Sequence, residues 1–161
     1  MRTFALLAAL LAGCSESQAA SIPADWVPVT ASCGYTFMAP PDLVAKEVEG
    51  IDSCVDRWST GSCGLAGDLG AYSSPDIETP GLLDFWECSE TIDGRLAQLA
   101  TARNQLVSAA SQFQSSVHFS VVDSNRPGVQ LKVSASCPRE AARDETLLLF
   151  RSIRFPDDLV N

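Results

Sequence analysis

An uninterrupted apolar run opens the chain. Phe4 to Gly13 is ten uncharged residues, about half of the roughly 20 that a bilayer-spanning helix needs. With Arg2 before it and small residues after it, the run predicts a cleaved secretory leader rather than a spanning helix or a piece of core. Ser15 to Pro23 is then small, polar and unpatterned, which is the composition of a flexible tether.

From Trp26 onward the apolar positions come in short runs bounded by turn residues, the pattern of strands. WVPVTA, GYTFMAP and LVAKEV predict three strands, the first weakened by Pro28 and the second ended by Pro40-Pro41. Ile51 to Leu83 is rich in Gly, Ser, Asp and Pro, and its best strand is expected around Gly70-Ala71-Tyr72. LLDFWECSETI and RLAQLATAR read as two strands across the turn signal Asp93-Gly94. VHFSVVD (Val117 to Asp123) and GVQLKVSAS (Gly128 to Ser136) alternate strictly, with Val117, Phe119 and Val121 in one and Val129, Leu131, Val133 and Ala135 in the other. They predict an antiparallel hairpin with one buried face. That places His118, with Ser116 and Ser120, on the solvent face.

After Pro138 the period changes to that of a helix. Ala142, Thr146, Leu149 and Ile153 share one side, Ser136 or Cys137 is the expected cap, and Pro156 is the stop. Strands followed by a helix that covers their apolar side predict an α+β fold: a mostly antiparallel sheet covered by helices, a sandwich containing disulfides.

Charge narrows the partners. Eleven basic against 20 acidic residues give a net charge of −9, and no Lys/Arg cluster occurs, so nucleic acid is not an expected partner. The same acidity repels anionic lipid heads, so a lipid tail rather than charge has to hold such a protein at a membrane.

Five cysteines follow the leader: Cys33, Cys54, Cys63, Cys88 and Cys137. In an exported protein they are expected to be oxidised. An odd number allows two bridges and one spare thiol, in arrangements that sequence does not separate. Cys54 and Cys63 are the expected pair, because CVDRWSTGSC carries Ser, Thr and Gly at its centre and can fold back on itself. No CxxC or zinc-site spacing is present.

Candidate chemistry is sparse. His118 lies on the opposite parity from Asp123, so no Ser-His-Asp arrangement is expected. Gly61-Ser62-Cys63-Gly64 resembles an exposed thiol nucleophile only until a disulfide silences it. Gly64, Gly67 and Gly70 recur without forming a phosphate loop, and Asp157-Asp158 lacks the spacing of a calcium loop. Trp58, Trp86 and Tyr72 are candidates for a stacking groove or for core, with core favoured for Trp86. No catalytic residue, cofactor or metal is expected.

Two resemblances add to this. Leu11-Ala12-Gly13-Cys14 resembles the lipobox of bacterial lipoprotein precursors. That resemblance implies cleavage between Gly13 and Cys14, a diacylglyceryl group on the Cys14 sulfur, and usually an acyl chain on its new amino group. The implied location is the bacterial cell envelope, and Ser15 after the cysteine implies the outer membrane, facing the periplasm. Cleavage after Ser17-Gln18-Ala19 is the alternative, releasing a soluble protein.

The second resemblance rests on CGYTFMAPPDL, TIDGRLAQLATAR and LLLFRSIRF, which occur in the order seen in PsbP-like domains. It implies a mostly antiparallel sheet with helices packed on it, and a role in binding or assisting larger envelope assemblies. The stretch between Cys54 and Cys63 departs from that family's pattern. The expected organisation is a leader over 1–13, a lipidated N-terminus and tether over 14–24, and one domain over 25–161. The expected function is a lipid-anchored, non-catalytic binding or assembly module with an envelope protein partner. The alternative is a thiol-dependent redox or hydrolytic enzyme of the periplasm.

Overall fold

A computed structural model of the chain describes residues 21–48, 50, 52–73, 82–122 and 128–156. A small hairpin, β1 (Val27–Thr30) with β2 (Thr36–Ala39), stands apart from the main sheet. The main sheet has seven antiparallel strands: β3 (Val44–Lys46), β4 (Cys54–Ser59), β5 (Gly64–Gly70), β6 (Leu82–Ile92), β7 (Arg95–Asn104), β8 (Phe113–Phe119) and β9 (Gln130–Cys137). Their spatial order is β3-β4-β5-β9-β8-β7-β6. A turn of 3-10 helix, Ala109–Ser111, precedes β8, and α1 (Glu140–Arg151) follows β9.

The helix packs against β8, β9 and β2. Its buried residues Ala142, Thr146, Leu149 and Phe150 meet sheet residues Leu65, Leu99, Val117, Phe119, Leu131 and Val133 in one core, which Tyr35 and Phe37 of the small hairpin complete. Phe37 meets Trp58 edge-on at 5.3 Å, and Phe119 meets Phe155 likewise at 5.1 Å.

The expected sandwich of a sheet covered by helices is overturned. Among the described residues α1 is the one α-helix, and it covers one side of a mostly antiparallel sheet. The helix also starts later than its Pro signal suggested. Arg139, extended at φ −137°, is the N-cap and makes no side-chain cap bond, so neither Ser136 nor Cys137 caps it. Both belong to β9, whose pairing with β5 and β8 outbids an earlier helical turn.

The hairpin expected of VHFSVVD and GVQLKVSAS forms as β8 and β9, while strand bounds differ there and elsewhere. The strand expected at Gly70-Ala71-Tyr72 is β5, which ends at Gly70. The β8 strand begins at Phe113 and stops at Phe119, leaving Val121 exposed. Because β8 lies between β7 and β9 inside the sheet, Ser115, Ser116, Val117, His118 and Phe119 are all buried, so the single buried face expected there is corrected.

The bridges differ from the expected pair. Cys33 joins Cys54 and Cys63 joins Cys137. The segment between Cys54 and Cys63 does fold back, but as a hairpin whose register sets Cys54 opposite Leu69 while Cys63 sits in the turn. The strand length of β4 therefore separates them. None of the described cysteines is a free thiol, which removes the spare.

Candidate functional site

The site that stands out is an apolar corner at one end of the sheet. β6 is the sheet's last strand, and its outer edge pairs with no other strand among the described residues. Opposite β7, Leu83 faces Arg103 and Trp86 faces Thr101, so β6 carries one residue more than its partner over this stretch. This is a β-bulge, and such bulges re-aim side chains. Asp84 takes the left-handed φ of 51° there, and its carboxylate lies 3.2 Å from Arg103 Nε.

The bulge turns consecutive aromatics outward. Leu83, Phe85 and Trp86 are 37, 53 and 41 % exposed, and Leu106 and Val107, in the loop after β7, are 72 and 37 % exposed. Leu82 pairs with Asn104, so the loop and the start of β6 lie at the same end of the sheet. Asn104 is fully buried and anchors that loop, its side-chain oxygen accepting the Leu106 N–H at 2.9 Å. Exposed apolar side chains gathered at one end of a sheet edge suit a contact site better than a solvated wall.

The corner's chemistry is recognition. It presents two aromatic rings and three aliphatic groups, and its ion pair Arg103–Asp84 is internally neutral. Each such side chain that a partner covers fully contributes roughly 1.5–3 kcal/mol.

The other candidates are placed as follows. Trp58 is buried in the core, Tyr72 is 85 % exposed after β5, and Trp86 lies on the far edge strand, so the three form no common groove. The core role favoured for Trp86 is corrected, because the edge position and the bulge leave it outside the helix's cover. His118 is buried rather than solvent-facing. Its Nε2–H donates to Gln130 Oε1 at 2.8 Å, which satisfies a structural histidine and orients no nucleophile.

Gly61-Ser62-Cys63 lies in the β4–β5 turn, and Gly64 opens β5. Gly61 N–H donates to Asp42 Oδ2 at 2.8 Å, Thr60 Oγ1 accepts from Cys63 N–H at 3.0 Å, and the Cys63 sulfur is bonded to Cys137. Cys33, Cys54 and Asp56 bring three donor atoms within 4.8 Å, but the two sulfurs are joined to each other. Gly64, Gly67 and Gly70 lie along strand β5, not in a loop. Cys88 is among the oxidised cysteines. Gly13, Cys14 and Asp157-Asp158 lie outside the described residues, as does Asp123.

One buried titratable group is strongly perturbed. Tyr35 is fully buried, and its hydroxyl has no hydrogen-bond partner. Burial above all, then the Asp56 and Asp68 carboxylates, raises its phenol well above the ordinary tyrosine range. A Cβ on Gly67 would overlap this hydroxyl, so the group is wedged against the floor of the sheet and faces no cleft.

Sequence reading missed Leu83, Phe85, Leu106 and Val107. The signal was present: Phe85-Trp86 breaks the alternation of its strand, and Leu106-Val107 puts apolar residues where a turn is expected to be polar.

No family model matches the chain, and no curated relative does. Solved structures do share its fold. Cyanobacterial PsbP (CyanoP) from Synechocystis sp. PCC 6803 aligns with a TM-score of 0.53 at 14 % identity, covering 83 % of this chain and 94 % of that one. The Ran-binding protein Mog1p of Saccharomyces cerevisiae aligns with a TM-score of 0.52 at 11 % identity, covering 84 % of this chain and 98 % of its own. The domain is therefore PsbP-like in fold.

Proposed function

We propose that the chain is a lipid-anchored binding or assembly module of the bacterial cell envelope, held at the outer membrane by acylated Cys14 and facing the periplasm. In this reading the apolar corner of β6 and the β7–β8 loop docks an envelope protein. The exposed Leu83, Phe85 and Trp86 on an unpaired edge carry the binding part. The likeness to Mog1p, a Ran-binding protein, supports a binding role, since that protein of similar fold binds another protein. The sequence Leu11-Ala12-Gly13-Cys14 carries the anchoring part. Two lipid chains or more give stable attachment where one gives only weak, reversible binding.

Two measurements test the two parts separately. For docking, a photo-crosslinking phenylalanine analogue at position 85 is expected to capture one discrete envelope protein in intact cells, and Trp86→Ser is expected to abolish the adduct. Loss of neither yield nor specificity in Trp86→Ser overturns the docking role. For anchoring, the mature N-terminal peptide is expected to carry diacylglycerol on Cys14, and Cys14→Ser is expected to move the protein to the soluble fraction. Recovery of Cys14 joined to another cysteine, or unmodified, overturns the anchor.

A further inference from the structure

The side of the sheet away from α1 carries a second feature, which the docking corner does not explain. Lys46 of β3 and Arg57 of β4 stand directly opposite each other in register. Like charges at directly opposed positions of an antiparallel pair repel. Both side chains are exposed, and neither has an ion-pair or hydrogen-bond partner among the described residues.

Beside them the sheet is hollow. The register continues the row from Arg57 to Ala66 of β5 and Ser134 of β9, while Gly64 and Ser136 form the row next to it. All four are small, and a Cβ built on Gly64 would meet nothing within 4 Å. The resulting depression has a volume of about 280 Å³, with Lys46, Arg57, Ser134 and Ser136 supplying its polar lining. The carboxylate on this side of β5, Asp68, lies further along the strand, opposite Lys132, and is not part of the lining.

From this geometry we infer that the depression binds a phosphate group, as a monoester or as free phosphate. A phosphate monoester carries a charge of about −1.5 to −2 near neutral pH, which the two cations match. The Arg57 guanidinium offers two parallel N–H donors to two phosphate oxygens, Lys46 a point charge, and Ser134 and Ser136 hydroxyl donors from the floor. Relief of the Lys46–Arg57 repulsion makes the bound form of the sheet the more stable one. A lipid headgroup and a soluble metabolite can both supply this chemistry, and the test separates them.

Titration calorimetry on the folded, disulfide-intact protein uses inorganic phosphate and glycerol 3-phosphate, with sodium chloride at matched ionic strength as the blank. Saturable binding is expected for the wild type, about tenfold weaker or more in Arg57→Gln, and absent in the Lys46→Gln/Arg57→Gln pair. Arg139→Gln removes the same charge at an exposed position outside the depression and is expected to bind like wild type. No saturable heat above the chloride blank overturns the site, and so does equal weakening by Arg139→Gln. Co-sedimentation with phosphatidylcholine vesicles, with and without phosphatidic acid, identifies the source. Phosphatidic-acid-dependent capture lost in the double variant assigns a lipid headgroup, and binding of the soluble phosphates alone assigns a free ligand. These readouts use neither Cys14 nor the β6 corner, so they stand or fall apart from the proposed docking function.

Discussion

The Tyr35 hydroxyl has been taken out of water without receiving a partner, a condition that costs on the order of 1–3 kcal/mol. Tyr35→Phe is therefore expected to stabilise the domain by about 1 kcal/mol in urea unfolding. It should also change the alkaline limb. The folded-state pKa lies above the unfolded value of 10.0, so the folded state keeps a proton that the unfolded state releases. Stability is then fully present below about pH 10 and falls as pH rises beyond it, and the Phe variant should lose this part of the slope. Gly67→Ala probes the same contact from the other side. Its Cβ would meet the hydroxyl and the Trp58 ring, at 3.3 Å from the latter, and overpacking of this kind costs about 1–3 kcal/mol. Combining it with Tyr35→Phe should recover part of the loss, and simple additivity of the two changes in unfolding free energy would count against the contact. None of this was legible in the sequence, where Tyr35 lies in the β1–β2 connection and Gly67 in β5, and only the tertiary approach of the small hairpin makes them neighbours. His118 went wrong for a related reason. Alternation says which side of a strand a residue faces, but it does not say that β8 has a strand on each edge, with Gln98 of β7 and Lys132 of β9 flanking His118.

Between elements, the three segments that carry the PsbP-like resemblance meet in space. Asp93 and Gly94 form the two-residue β6–β7 turn with φ values of 50° and 73°, the positive pair that such a tight turn requires. The Asp93 carboxylate accepts the Phe155 N–H at 2.8 Å and lies 3.2 Å from Arg95 Nη1. Arg95 in turn sits over the Phe155 ring at 4.3 Å. On the far side of the same segment, Thr36 and Arg154 exchange backbone hydrogen bonds of 2.9 and 2.8 Å. The Asp-Gly-Arg turn thus clamps the chain leaving α1 onto the sheet, and the small hairpin closes over it. These short motifs are structural, which is why they told of a fold and not of a reaction. Asp93→Ala, which strands the Phe155 N–H and releases Arg95, is expected to lower stability by about 1–3 kcal/mol in denaturant unfolding. A change within a few tenths of a kcal/mol would refute the clamp. The bridges act over longer reach. Cys63–Cys137 spans 74 residues and Cys33–Cys54 spans 21, so loop entropy assigns about 4.4 and about 3.3 kcal/mol respectively. Paired replacement by alanine should rank them in that order. Turn residues in the sequence favoured the local pair Cys54 and Cys63, and the register of β4 against β5 forbids it.

For the molecule as a whole, the sheet separates two surfaces of opposite character. The depression beside Lys46 and Arg57 lies between β3 and β9, and the apolar corner lies on β6 at the other edge. From β4 to β6 there are five strand spacings, roughly 24 Å at about 4.8 Å each, which exceeds the Debye length of about 10 Å at 0.1 M salt. The two surfaces should then respond to salt independently and in opposite directions. Raising sodium chloride from about 0.1 M to about 1 M shortens the Debye length to about 3 Å, so phosphate affinity at Lys46 and Arg57 should fall steeply. The corner gains its free energy from burying Leu83, Phe85, Trp86, Leu106 and Val107, and its ion pair adds no net charge. Crosslinking from position 85 should therefore persist in chloride and increase in sulfate, which strengthens apolar burial. Both readouts can be followed over one salt series, crosslinking in envelope extracts and phosphate binding on the isolated protein. If crosslinking fell in parallel with phosphate binding, the corner's partner would be held by the acidic charge of the domain and not by these side chains. The apolar account of docking would then fail while the phosphate site stood.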